Sequence, residues 1–176
     1  MDAQAAEIIF SLLVAGALVL TVVVLVSGDN PVRAELRLAA PGLAATVAVG
    51  ATAGSLYFSE VRHFTPCEFC WYQRIAMYPL AVILTMAWLR RDRTIRPYAL
   101  ALAGIGAALS LYHYQLQLVP DQGSSCSADV PCTFRYIEVA GFVTIPLLAL
   151  GSFVLIITLL LAAPTAPSSP DPGAPT

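Results

Sequence analysis

The sequence predicts an all-helical, polytopic membrane protein. Of its 176 residues, 58% are hydrophobic and 11% are charged, against about 25% charged in a soluble domain. The apolar residues fall into five runs of about 20 residues each, which matches a hydrocarbon core roughly 30 Å thick crossed at 1.5 Å per residue. Most of the charge lies in the short breaks between the runs. The net charge of -2 gives no basis for a nucleic-acid partner. No repeat of 20–50 residues and no Gly-rich phosphate loop is present.

The first span runs from Ala3 to Ser27, apolar from Ile8 to Val26. It lacks the basic start, short core and small-residue cleavage site of a signal peptide, since Asp2 and Glu7 are acidic and V-S-G-D-N-P follows. Gly28 to Leu38 reads as a polar linker. The second span, Ala39 to Ser59, is rich in Gly, Ala, Ser and Thr, which let helices approach closely in lipid. Glu60 to Thr65 is a short exit loop. Trp71 to Leu89 is the third span, with Pro79 expected to kink it. A basic turn, Arg90 to Arg96, leads into the fourth span, Pro97 to Leu118. Val119 to Glu138 is the longest polar loop. Val139 to Ala162 is the fifth span, with Pro146 inside it. The rest, 163–176, is Pro-rich without apolar periodicity and is expected to be disordered.

Arginines set the orientation. The loops after spans one and three hold Arg33, Arg37, Arg90, Arg91, Arg93 and Arg96, while the other side holds Arg62, Arg74 and Arg135. The positive-inside rule places the N-terminus and all four cysteines outside and the C-terminus in the cytoplasm. Disulfides persist in such an oxidising compartment.

The chemistry centres on T-P-C-E-F-C-W-Y-Q-R, Thr65 to Arg74. Thr65 is expected as a helix N-cap, with Pro66 at the first helical position and Glu68 completing a capping box. Cys67 and Cys70 then lie near the positive end of the helix dipole, and Cys70 shares a face with Arg74; both features favour a thiolate at Cys70. A passive disulfide of this spacing would constrain the unfolded chain little. Redox chemistry is therefore the favoured reading, with zinc binding as the competitor. The second pair, Cys126 and Cys132, reads alone as a loop clip. Beside the first pair it makes a relay by thiolate attack possible. Arg74 lies in the first turn of a span and reads either as an interfacial anchor or as a hydrogen-bond donor to a quinone carbonyl. His113, near the outer end of span four, reads either as an ordinary interfacial hydrogen-bonded histidine or as a group supplying a proton or hydrogen bond to quinone chemistry. Trp71, Tyr72, Tyr112 and Tyr114 suit an interfacial aromatic belt without any ligand.

C-E-F-C-W-Y-Q-R-I-A-M-Y-P-L resembles the signature of DsbB-type disulfide bond formation proteins, in their short-loop BdbC-like branch. H-Y-Q-L-Q, the C-x5-C pair and G-F-V-T-I-P-L-L-A-L resemble the same branch. The resemblance covers Ala39 to Ala162. It implies a four-helix transmembrane bundle over 39–162; outside it, 1–38 reads as an extra transmembrane helix with a cytoplasmic linker and 163–176 as a disordered Pro-rich cytoplasmic tail. It also implies a bacterial plasma-membrane enzyme that reoxidises a DsbA/BdbD-like thioredoxin-fold oxidase and passes the electrons to a quinone, ubiquinone or menaquinone. Under that resemblance Cys126 and Cys132 meet the partner, and Cys67 and Cys70 are the pair beside the quinone, with Cys70 against its ring. Arg74, Gln73 and His113 fall at the quinone-site positions, and no metal is implied. The extra first span and the tail depart from the family pattern. Two rival readings are a vitamin-K-epoxide-reductase-like enzyme, whose pairs usually come in the opposite order, and a non-enzymatic membrane protein with structural or zinc-binding cysteines.

Overall fold

A computed structural model describes residues 31–120, 126 and 130–164, with scattered positions between 9 and 26. The described residues form four long helices and no strand. Helix α1 is Pro31–Leu56, α2 Glu68–Arg90, α3 Arg96–Leu118 and α4 Ile145–Ala162. α1 packs on α2 and α4, and α3 packs on the same two helices. The result is a closed four-helix bundle. α1 with the turn that extends it, α3 and α4 are each long and apolar enough to cross a membrane. α2 has 23 residues, as many as α3.

The packing follows from residue size. α1 turns Ala40, Ala44, Ala45 and Ala48 inward, one face of small side chains at helical spacing. Met77, Leu80 and Leu84 from α2 and Phe153, Ile156 and Leu159 from α4 fill the space this leaves. At Gly106 of α3 even a Cβ would lie 2.3 Å from the Phe153 ring, so this crossing requires glycine. Large apolar side chains such as Ile75, Val82 and Ile105 point outward, as lipid-facing positions do.

The end of the bundle that carries the C-terminus of α4 is closed by arginines. Arg37 Nε donates to the Ala162 carbonyl (3.0 Å), Arg96 Nη2 to that of Leu161 (3.2 Å) and Arg93 Nη1 to that of Pro164 (3.4 Å). Helix ends leave such carbonyls without intrahelical partners.

Several boundaries differ from the sequence reading. Residues 31–38, expected as linker, already belong to α1, so Arg33 and Arg37 are helical. α1 continues into a π-helical turn, Tyr57–Val61. The fifth span starts at Ile145, not Val139. Before it, Val139 and Val143 exchange backbone hydrogen bonds of 3.0 Å around Ala140 and Gly141, both at positive φ. Pro146 therefore sits in the first turn of α4, where its missing N–H costs nothing. Pro79 lies inside α2 as expected. The described positions of the first expected span are helical. Among them Thr21 is buried, and Ala17 packs against the bundle core. The rest of that span, and residues 165–176 of the tail, lie outside the described residues.

Candidate redox site

The two cysteine pairs meet at one end of the bundle. Helix α2 starts two residues later than the expected capping box, and the N-cap is Cys67 rather than Thr65. Its backbone is extended (φ -74°, ψ 174°), and its sulfur accepts a hydrogen bond from the Cys70 N–H at 3.4 Å. The acceptor that finishes the helix is therefore a reactive atom. A sulfur there faces the unpaired N–H groups and the positive end of the helix, both of which favour a thiolate.

Cys67 and Cys70 are thiols with sulfurs 2.9 Å apart, whereas Cys126 and Cys132 form a disulfide. The Cys67 thiol is held down at about 4. The hydrogen bond from Cys70 is the main cause; burial works against it, and His113 and the Cys70 N–H add to it. The donors at the helix start and the His113 ring therefore favour a thiolate at Cys67. Cys67 precedes the helix and receives the donors, while no hydrogen bond joins Arg74 to either sulfur among those described.

Around Cys67 the loop and α3 converge. Cys67, Leu116 and Cys132 form one small buried cluster. The Cys67 and Cys132 sulfurs and a ring nitrogen of His113 all lie within 4.8 Å of one another. That set resembles a metal-ligand set, but the Cys132 sulfur is committed to its disulfide. His113 is buried on α3. Its Nε2 is 3.6 Å from the Cys67 sulfur and 3.1 Å from the Cys132 carbonyl oxygen, and its Nδ1 is 3.0 Å from the Gln73 amide nitrogen.

On the opposite side of the pair, α1, α2 and α4 enclose a largely apolar cavity of about 720 Å³. Cys70 lines it and the other three cysteines do not. Gln73 and Arg74 line it as well, while His113 does not. Arg74, half-buried, has found the partner that a guanidinium in a membrane span needs. Its Nε donates to Ser55 Oγ (3.0 Å), its Nη2 donates to the Ser55 carbonyl (3.2 Å), and it lies 5.2 Å from the Trp71 ring centroid. Ser55 sits at the last turn of α1, just before the π-helical turn.

Two contributors escaped the sequence reading. Ser55 meets Arg74 from another helix, 19 residues away, and no local pattern marks it. Tyr136 donates to the Thr65 carbonyl (2.9 Å) and stacks on Phe64, so it ties the loop of the second pair to the segment before α2. Its aromatic character is its only signal in the sequence.

The family described as "Disulfide bond formation protein DsbB" matches residues 37–163. Disulfide bond formation protein C of Bacillus subtilis (strain 168) is 51% identical over 116 residues, covering 65% of this chain and 84% of the relative. A probable disulfide formation protein C of Halalkalibacterium halodurans is 51% identical over 112 residues, covering 62% and 81%. A probable disulfide formation protein C 1 of Bacillus anthracis is 52% identical over 109 residues, covering 60% and 78%. No solved structure matches. The matched stretch holds both cysteine pairs, all of α2, α3 and α4, and α1 from Arg37 onward. The chain belongs to the DsbB family of disulfide bond formation proteins and is a multi-pass membrane thiol–disulfide oxidoreductase.

Proposed function

We propose that the protein reoxidises an extracytoplasmic thioredoxin-fold oxidase of the DsbA/BdbD type and delivers the electrons to a membrane quinone. The observation that carries this reading is the two-sided inner pair: Cys67 packs against the loop disulfide, and Cys70 lines the apolar cavity. The arginine asymmetry supports an extracytoplasmic site.

The exchange steps balance. A partner thiolate attacks Cys126, and Cys132 leaves with the electron pair. The partner's second thiolate closes the partner disulfide and frees Cys126. Cys132 attacks Cys67, the Cys67–Cys70 bond breaks, and Cys70 takes the electron pair. Cys126 then attacks Cys132, re-forming the loop disulfide and releasing Cys67 as a thiolate. Two electrons have moved from partner to inner pair.

The cavity suits a quinone. Its volume lies in the range of small-molecule sites, and its walls, among them Val47, Met77, Leu148 and Phe153, are apolar enough for a ring with a hydrocarbon tail. Arg74 and Gln73 would hold it through their N–H donors. When bound, the quinone supplies the two-electron, two-proton sink that returns the inner pair to a disulfide. Arg74 is held in place by Ser55, so its remaining donors need no reordering on binding.

The test uses the full-length protein in lipid nanodiscs with a reduced thioredoxin-fold partner and a short-chain ubiquinone or menaquinone. Quinone absorbance should fall in step with partner oxidation, and Cys70→Ser should abolish both. Partner oxidation without quinone reduction, or quinone reduction that survives in Cys70→Ser, would overturn the reading.

A further inference from the structure

We infer that His113 serves the disulfide exchange between the loop and the inner pair and takes no part in holding the quinone. The inference rests on the relay proposed above and assigns one of its steps.

Its position carries the inference. His113 is absent from the cavity walls and lies against Cys67 and Cys132. The Cys132 carbonyl oxygen can only accept a hydrogen bond, so the His113 Nε2 at 3.1 Å must carry a proton. The Gln73 amide nitrogen can only donate, so Nδ1 at 3.0 Å accepts, which fixes the neutral ring as the Nε2–H tautomer. That N–H is forked between the Cys132 carbonyl and the Cys67 sulfur, 3.6 Å away. The ring has little freedom to turn away, since it is buried and packed on Phe69 with ring centroids 5.7 Å apart.

A single N–H therefore does two things. It holds the backbone of the attacking loop cysteine beside its target, and it faces the sulfur that must leave as a thiolate. In the last exchange step the Cys67–Cys132 bond breaks, the Cys126–Cys132 bond forms, and the electron pair goes to Cys67. A donor already aimed at Cys67 favours that departure, since a better-stabilised thiolate leaves faster. The groups facing Cys67 are Cys70 from α2, His113 from α3 and the disulfide-bonded Cys132 from the loop.

The two half-reactions separate this role from quinone binding. In the first, oxidised full-length protein without quinone is mixed with reduced partner, and acid-quenched samples are mass-tagged to follow the appearance of Cys67 and Cys70 thiols. In the second, protein pre-reduced with dithiothreitol is mixed with short-chain ubiquinone and followed by absorbance. His113→Ala should slow the first at least tenfold and leave the quinone KM within about twofold. His113→Gln, which again offers an N–H, should restore the first to within about threefold of wild type. A raised quinone KM with an unchanged first half-reaction would overturn the inference. Should His113→Ala not insert, Gln73→Leu, which frees the ring, is measured in the first half-reaction alone: slowed exchange supports the role and unchanged exchange overturns it. Failure of the wild type to reduce quinone would overturn the proposed function, whereas exchange unaffected by His113→Ala overturns only this inference.

Discussion

Replacing Arg74 by Lys keeps the charge and removes the planar fork. The guanidinium makes two hydrogen bonds to Ser55, at 3.0 and 3.2 Å, and lies over Trp71. An ammonium on a flexible stem cannot reproduce that fork. A hydrogen bond involving a charged group contributes about 1.5–3 kcal/mol. The loss should sit at the low end, because neither Ser55 acceptor is left unpaired: its hydroxyl keeps Tyr78 at 3.3 Å and its carbonyl keeps the Ser59 hydroxyl at 3.4 Å. A loss of about 1–2 kcal/mol corresponds to roughly 5- to 30-fold in kcat/KM. It should appear in KM for quinone, since Arg74 lines the cavity and contacts neither sulfur. The assay is steady-state quinone reduction at saturating reduced partner, with Cys67 ionisation followed in parallel. Ser55→Ala should move KM in the same direction by less, and neither variant should change the Cys67 titration. Wild-type KM in Arg74→Lys would leave Arg74 as an interfacial anchor, and a shifted Cys67 titration would mean that Arg74 acts on the thiols after all.

With the inner pair reduced, a thiolate band at 240 nm should grow in as pH rises through about 4 and vanish below it, because the Cys67 thiol is depressed; Cys67→Ser should lack this step, and a midpoint near the ordinary thiol value of about 8.5 would refute the assignment. After reduction, Cys67, Cys70, Cys126 and Cys132 should be labelled by a membrane-impermeant thiol reagent from the extracytoplasmic side, and labelling from the cytoplasm alone would reverse the orientation. Gly106→Ala should destabilise the bundle by about 1–3 kcal/mol in a denaturant titration, because its Cβ meets the Phe153 ring; unchanged stability would show that Phe153 can move aside. Removing residues 1–30 leaves α1 to α4 whole but takes away Ala17, which lines the cavity, so the quinone KM should rise with kcat kept. An unchanged KM would place the first span outside the site.

Much of this was legible from residue order. Apolar runs of spanning length marked the helices, and the close spacing of Cys67 and Cys70 at a helix start announced two neighbouring sulfurs. Arg74 in a first turn correctly announced a partner, but the partner's name was out of reach, because Ser55 arrives from a neighbouring helix through packing. The helix start was misread for a related reason. Thr65, Pro66 and Glu68 make a good capping box on paper, yet a cap is decided by backbone dihedrals, and it is Cys67 whose extended φ and ψ turn its side chain onto the Cys70 N–H. That shift of two residues puts the Cys67 sulfur on the donors of the helix start. The fifth span was read as starting at Val139 because Val, Ala, Gly and Phe are apolar. Positive φ at Ala140 and Gly141 makes that stretch a turn, which hydropathy does not register.

The opposed facing of Cys67 and Cys70 has a consequence for chemical hygiene. Quinones are electrophiles that soluble thiols attack covalently, and such adducts would poison an acceptor pool. Here the loop cysteines pack against Cys67, and only Cys70 borders the cavity. A thiol docked at the loop and an electrophile in the cavity would be separated by one turn of α2, so electrons could cross where the molecules themselves could not. The inner pair would then work as a bulkhead as well as a conductor, and widening the passage beside Cys70 should yield thiol–quinone adducts before it yields a slower enzyme.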